Sequence, residues 1–200
     1  MIKKIHFIWV NRKGSPPPSN CLGYINPWRR LYPGFQIKLW GVDDMFGFKD
    51  PKIDEAWKNP DYDEACISNR MRFLIVRKEG GLYVDIDTQP VKPITEELIG
   101  VDNFVVGQVR NLTRPDKISV ETNIFYSEAN HPILSDLLDH FDCCPGRFIN
   151  AYLADTYARD IKILPEECFH GHTVTPNTYT LHHSLGSWVS NQYSPVRKRN

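Results

Sequence analysis

"GGLYVDIDT" occupies residues 80–88, and the reading of the fold starts there. Two glycines stop whatever precedes them, an apolar and β-branched run follows, and two aspartates one residue apart close it. The pattern predicts a strand over Leu82–Asp87. Side chains alternate along a strand, so Leu82, Val84 and Ile86 share one face while Tyr83, Asp85 and Asp87 share the other. The first set is apolar and suits packing under a helix layer. The second leaves two carboxylates at the strand's end, where unpaired burial costs several kcal/mol per ion. A hard divalent cation with oxygen ligands, magnesium or manganese, answers that charge and bridges phosphate oxygens well. An isolated Asp-x-Asp is more often solvated or paired with a local arginine, so the neighbouring residues have to decide.

Immediately upstream, Ile67, Met71, Leu74 and Ile75 recur at helical spacing, which predicts a helix from Asp63 to Glu79 stopped by Gly80-Gly81. Ala65, Asn69, Arg72 and Val76 fall on one face of that helix, with Ser68 at its border. A polar trio of Ser68, Asn69 and Arg72 therefore faces one way just before the acidic strand. Arg70, Arg77 and Lys78 lie around the other sides and read as a solvated surface.

Working outward, "KKIHFIWV" (residues 3–10) reads as a first buried strand and "NRKGSPPPSN" as a loop broken by prolines. A short helix fits Tyr24–Tyr32, and "FQIKLW" (35–40) alternates as a half-exposed strand should. Residues 41–61 read as loop-rich. Strands are expected at Phe104–Val106 and Ile118–Tyr126, and helices at Pro132–Phe141 and Arg147–Arg159. Strands alternating with helices favour a single α/β domain over residues 1–200, with ligands at the carboxyl ends of the strands.

Composition excludes some classes. The 200 residues carry 24 basic and 24 acidic side chains, a net charge of zero, which gives no footing to a general binder of nucleic acid or membrane surfaces. Five dispersed cysteines make a poor disulfide framework and point to a reducing compartment. No apolar stretch is long enough for a transmembrane span, and the lysine-rich start meets Asn11, Arg12 and Lys13 too early for a signal peptide. A cytoplasmic location is the expectation.

With the central residues in hand, "ACISNRMRFLIVRKEGGLYVDIDTQPVKP" (65–93) resembles the signature block of the DXD-containing sugar transferases of glycosyltransferase family 32. That group includes capsular-polysaccharide transferases and yeast outer-chain mannosyltransferases, and the catalytic cores of clostridial glucosylating toxins are more distant relatives. The family pattern is met at Ala65, Ser68, Arg72, Gly80, Gly81, Tyr83, Asp85, Asp87, Lys92 and Pro93. Asn69 stands where the family usually has Asp; it can still hydrogen-bond a sugar hydroxyl but carries no charge. "IHFIWV" followed by "PWRRLYPGFQIKLW" resembles the family's amino-terminal strand region. "YTLHHSLGSW" (179–188) is similar to its closing His-x-x-x-Gly-Ser-Trp segment.

The resemblance implies a GT-A-like nucleotide-sugar-binding domain with a mixed, mostly parallel sheet flanked by helices. It implies transfer of a sugar from a nucleotide diphosphate donor, a UDP-sugar first, to a glycan or other hydroxyl acceptor, with retention. On the residues, it implies Asp85, Asp87 and Arg72 as catalytic and Phe7, Ile8 and Trp9 around the nucleotide base. Ser68, Asn69, Tyr83, Ile86 and Trp188 join the donor site, and manganese or magnesium is held by Asp87, Asp85 and either His182 or His183. Thr122 and Asn123 lie where relatives contact acceptor or sugar. Two other readings use the same residues: a metal-dependent phosphohydrolase, and a nucleotide-sugar-binding module without turnover, which Asn69 favours. "CFHGH" (168–172) offers Cys168, His170 and His172 to a zinc ion, with Cys143-Cys144 as further sulfur, but lacks a Cys-x-x-Cys pair.

Overall fold

The structure, a computed structural model, describes residues 1–100, 103–110, 117–171 and 173–185. Its main sheet has six strands: β1 (Lys4–Ile8), β2 (Gln36–Trp40), β3 (Gly81–Val84), β5 (Val105–Val109), β6 (Ser119–Ser127) and β7 (Lys162–Leu164). A two-stranded sheet pairs β4 (Thr88–Pro90) with β8 (Thr180–His182). Helices α1 (Ser19–Leu31), α2 (Val42–Gly47), α3 (Pro51–Lys58), α4 (Glu64–Glu79), α5 (Glu96–Ile99), α6 (Pro132–His140), α7 (Gly146–Tyr157) and α8 (Glu166–Phe169) complete the described elements. Strand order is β2-β1-β3-β6-β5-β7. The β1–β2, β1–β3 and β5–β7 pairs are parallel, and β6 runs antiparallel to both β3 and β5. The expected mixed, mostly parallel α/β sheet is what the chain forms.

Period-two alternation divides the core. On one face Ile5, Phe7, Leu82, Val84, Ile124 and Tyr126 pack with Trp28 of α1. On the other, Ile8, Tyr83, Phe125 and Phe104 pack with Ile67, Met71 and Ile75 of α4. Fully burying each such side chain is worth about 1.5–3 kcal/mol, so α4 is held by its apolar stripes more than by local propensity. The Asp63 side chain caps α4 by accepting from the Cys66 amide at 2.7 Å.

The Gly-Gly stop is sterically required. Gly80 and Gly81 have φ of +63° and +102°. A Cβ on Gly80 would come within 2.3 Å of Ile2, and one on Gly81 within 2.6 Å of the Lys4 carbonyl oxygen. These glycines let α4 reverse directly into β3 beside β1.

Three local expectations need correction. Residues 41–61 are not mainly loop: they hold α2 and α3, and Asp50 caps α3 by accepting from the Lys52 and Ile53 amides. The acidic strand ends at Val84, three residues before Asp87. Arg70 is not solvated. It is buried, forks onto Asp50 at 2.8 and 2.7 Å, and donates to the Leu138 and Phe141 carbonyls, locking α4 to α3 and α6.

Candidate active site

Beyond β3 the chain makes a tight turn over Asp85–Thr88, closed by the Thr88 amide donating to the Asp85 carbonyl at 3.0 Å. The Asp85 amide donates to the Asn123 carbonyl on β6 at 2.7 Å, and Trp28 Nε1 on α1 donates to the Thr88 carbonyl at 2.9 Å. The backbone carrying the two aspartates is thus pinned from both sides. Antiparallel pairing of β4 with β8 sets Thr88 opposite His182, which delivers an imidazole to the turn.

Each carboxylate has one oxygen tied to the protein and the other turned to His182. Asp85 Oδ1 accepts from the Tyr83 hydroxyl at 2.6 Å and lies 3.3 Å from Arg72 Nη2, while its Oδ2 is 4.0 Å from His182 Nε2. Asp87 Oδ2 accepts from the Leu185 amide at 2.8 Å, and its Oδ1 is 3.2 Å from His182 Nε2. The three residues offer ligand atoms within 4.8 Å of one another. Two carboxylates and one imidazole suit manganese or magnesium, so the donor set fits the expected dication.

His183 does not join them. Adjacent side chains on an extended segment diverge, and its ring stacks on Tyr24 at 4.6 Å with Nε2 3.2 Å from Gln89 Oε1. The expectation that left both histidines open as ligands therefore narrows to His182.

The electrostatics match this geometry. Burial works against the charge on Asp87, yet the hydrogen bond and charge of His182 and the Leu185 amide outweigh it and hold the carboxyl below its usual range. Burial also opposes charge on His182, but the bond to Asp87 and the fields of Asp85, Asp87 and Glu121 raise its pKa. Tyr83 is driven well above 10, chiefly by burial, and remains a phenol donating to Asp85.

Arg72 joins the turn to β6. Its Nη1 donates to the Thr122 carbonyl at 2.7 Å and its guanidinium lies 4.6 Å from the centre of the Tyr83 ring. Ala65, Asn69 and Arg72 form one wall of a cleft of about 260 Å³ that also takes in Asp85, His182, Glu121 and, from α7, Arg147 and Asn150. Asn69 donates to the Cys144 carbonyl at 2.9 Å beside the start of α7. Thr122 donates its hydroxyl to Asn150 Oδ1 at 3.0 Å. A second hollow of about 410 Å³ opens at the carboxyl ends of β1 and β2, where half-buried Trp9 meets Leu39 and Gly41. Trp9 Nε1 donates to the Ser15 carbonyl at 2.8 Å.

Other expected donor contacts sit deeper. Phe7, Ile8 and Ile86 are at most 1% exposed, with their side chains in the core, so anything they offer a ligand comes from backbone. Phe7 meets Trp28 edge-on. Ser68 and Tyr83 are also wholly buried and support the site from behind. Trp188 and His172 lie outside the described residues. The five cysteines are free, and Cys143 and Cys168 sit in different core clusters, which removes the sulfur arm of the zinc reading. Sequence reasoning missed Glu121, Arg147 and Asn150, and offered His170 only to a zinc ion with Cys168 and His172. The signal for Glu121 was its place two residues before Asn123 on one strand, since alternation sends both to the same face.

The family model described as "Glycosyltransferase sugar-binding region containing DXD motif" matches residues 18–105, which span α1, α4 and the aspartate turn. Residues 18–105 are thus similar to the DXD-containing sugar-binding region of glycosyltransferases. HOC1 of Saccharomyces cerevisiae, which bears a provisional glycosyltransferase name, is 26% identical over 155 residues, 66% of this chain and 38% of the yeast protein. The ligand-free glycosyltransferase GlyE of Streptococcus pneumoniae TIGR4 superposes with a TM-score of 0.53 at 12% identity, covering 91% of this chain and 54% of GlyE. The PaToxG glycosyltransferase gives 0.50 at 16% identity, covering 69% of this chain and 59% of its own. The DXD chain has the GT-A-type fold, and spans little more than a third of the yeast relative.

Proposed function

We propose that this chain is a metal-dependent glycosyltransferase that moves a sugar from a nucleoside diphosphate donor, UDP first, to a glycan or other hydroxyl acceptor with retention. The observation that carries the reading is the arrangement of Asp85, Asp87 and His182, in which each carboxylate is anchored through one oxygen and presents the other beside the imidazole. Asp87, Asp85 and His182 would hold manganese or magnesium, which supplies Lewis-acid stabilisation of charge on the departing diphosphate.

The chain's own residues account for the rest. Arg72 presents a fixed positive charge between Asp85 and the cleft, and its buried Nε has no hydrogen-bond partner among the described residues. A donor phosphate or sugar oxygen reaching it would meet a pre-aimed donor. Asn69 lines the cleft on the same helix face and orients the sugar, while Trp9 offers a flat surface to the base at the ends of β1 and β2. Glu121 is the carboxylate across the cleft from Asn69, with its pKa raised mainly by burial. From there it can accept a hydrogen bond from a sugar hydroxyl. Retention then follows from attack on the face the diphosphate leaves.

The test is turnover of a panel of nucleotide sugars with manganese, with nucleoside diphosphate and inorganic phosphate quantified separately and product stereochemistry read by NMR. Nucleoside diphosphate release that accelerates with acceptor supports transfer. Release of phosphate or sugar phosphate instead would make the chain a phosphohydrolase, and an inverted product would remove retention alone.

A further inference from the structure

Glu121 and His170 take no metal in the reading above, yet with His182 they form a second group of potential ligands whose atoms lie within 4.8 Å of one another. Glu121 Oε2 is 3.9 Å from His170 Nδ1. His170 is buried at the end of α8 and held in place from two sides. Gly107 on β5 leaves room for its ring, since a Cβ there would come within 2.4 Å of Nε2. The Asn123 side-chain nitrogen lies 3.2 Å from Nδ1, a contact that an ion bound at Nδ1 would replace. Asn123 is 5% exposed, and its amide oxygen has no hydrogen-bond partner among the described residues. A buried, unpaired oxygen beside this cluster is a further donor for a cation or its water.

We propose that Glu121, His170 and His182 form a second cation site, selective for zinc over manganese or magnesium, that competes with the aspartate site for His182. Two imidazoles and one carboxylate form a common zinc donor set with a fourth position open, whereas the paired aspartates suit harder ions. His182 is the shared element: a ring nitrogen has one lone pair, so the nitrogen that ligates an ion between Glu121 and His170 cannot also ligate one between Asp85 and Asp87. Zinc therefore withdraws the imidazole from the aspartate site and inhibits whatever depends on it. The competition rests on the reading of Asp85, Asp87 and His182 as the manganese site; the zinc site itself does not.

The experiment titrates the full chain with zinc by calorimetry and with cobalt(II) by visible ligand-field absorption, then repeats manganese-dependent binding of UDP with and without zinc. His170→Gln and Glu121→Gln should each weaken zinc at least roughly tenfold and diminish the cobalt bands. In His170→Gln, manganese-dependent UDP binding should persist and lose its sensitivity to zinc. Asp87→Asn should do the reverse, abolishing manganese-dependent UDP binding while zinc and cobalt still bind. Thermal melts of each variant establish that it is folded; if His170→Gln is not, Glu121→Gln on the cleft rim carries the test. Zinc affinity unchanged in the folded variants overturns the site. Zinc and manganese binding together without antagonism overturns the competition. Absence of manganese-dependent UDP binding in the parent chain, with zinc binding intact and sensitive to His170→Gln, would sink the proposed function and leave the zinc site standing.

Discussion

Asp87 shows how one carboxylate is divided between structure and ligand. One oxygen holds the Leu185 amide and the other faces His182, so truncation removes both a backbone anchor and a proposed metal ligand. Asp87→Ala should abolish manganese-dependent binding of UDP, measured by calorimetry, with the far-UV circular dichroism unchanged. His183→Ala is its control: that ring is occupied with Tyr24 and Gln89, and UDP binding should stay within about twofold of the parent. Equal losses in both variants would contradict the placement of His182. Asn69 is a second case. Its amide donates to the Cys144 carbonyl, so Asn69→Asp would set a carboxylate against a carbonyl oxygen in a site only 8% exposed. A stability loss of about 1–3 kcal/mol by urea titration is expected. The asparagine is thus a local fit to the loop before α7, a reason invisible in the sequence because the partner is 75 residues away.

Among the elements, α4 and β3 were the most legible. A 16-residue helix with an Asp cap and a Gly-Gly stop states its limits in local residues, and the alternation of Leu82, Tyr83 and Val84 reports the two faces correctly. What failed had no local signature. Helices α2 and α3 have 6 and 8 residues and depend on packing, and β4 exists only because β8, some 90 residues on, lies against it. Arg70 looked solvated because its partners come from two distant segments, the α3 cap at Asp50 and the end of α6 at Leu138 and Phe141. Asp50→Ala should expose that role: leaving the Arg70 guanidinium buried beside only carbonyls should cost about 3–5 kcal/mol in chemical denaturation. A loss below about 1 kcal/mol would mean that Arg70 swings out to water.

Strand β1 carries a pH dependence of its own. His6 is buried between Gly80, whose carbonyl faces Nε2 at 2.8 Å, and Trp40, whose Nε1 donates to Nδ1 at 3.2 Å. The second contact needs an unprotonated nitrogen, and burial above all lowers the pKa from 6.5 to about 4. The folded state thus refuses a proton that the unfolded chain accepts, so stability is intact above pH 6.5 and falls as the pH drops towards 4. At pH 5 the cost attributable to His6 is about 2 kcal/mol. His6→Gln, although less stable at neutral pH, should lose less between pH 7 and 5 than the parent in parallel denaturation curves; equal slopes would assign the acid sensitivity elsewhere.

At the scale of the whole molecule, the candidate site is a junction of distant segments. The aspartate turn follows β3, Asn69 and Arg72 come from α4, Thr122 and Asn123 from β6, and His182 from the end of β8, while Trp9 waits at the end of β1. No one segment supplies the whole cleft, so the proposed nucleoside diphosphate with its metal would tie together elements that unfolding separates. Binding to the folded state alone should therefore stabilise the molecule by about 2.7 kcal/mol at a hundredfold excess over the dissociation constant, read as a rise in melting temperature that requires both UDP and manganese. On the proposed reading, the two hollows divide the ligand between them. Trp9→Ala should lower affinity for every donor sharing a base by about 1 kcal/mol, whatever the sugar, because only the stacking surface at β1 and β2 changes. Arg72→Lys should instead spare the base and weaken sugar and diphosphate recognition, since an ammonium cannot reproduce the fork that spans Asp85 and Thr122. A Trp9→Ala penalty confined to one sugar would reverse that assignment and move the base to the other cleft.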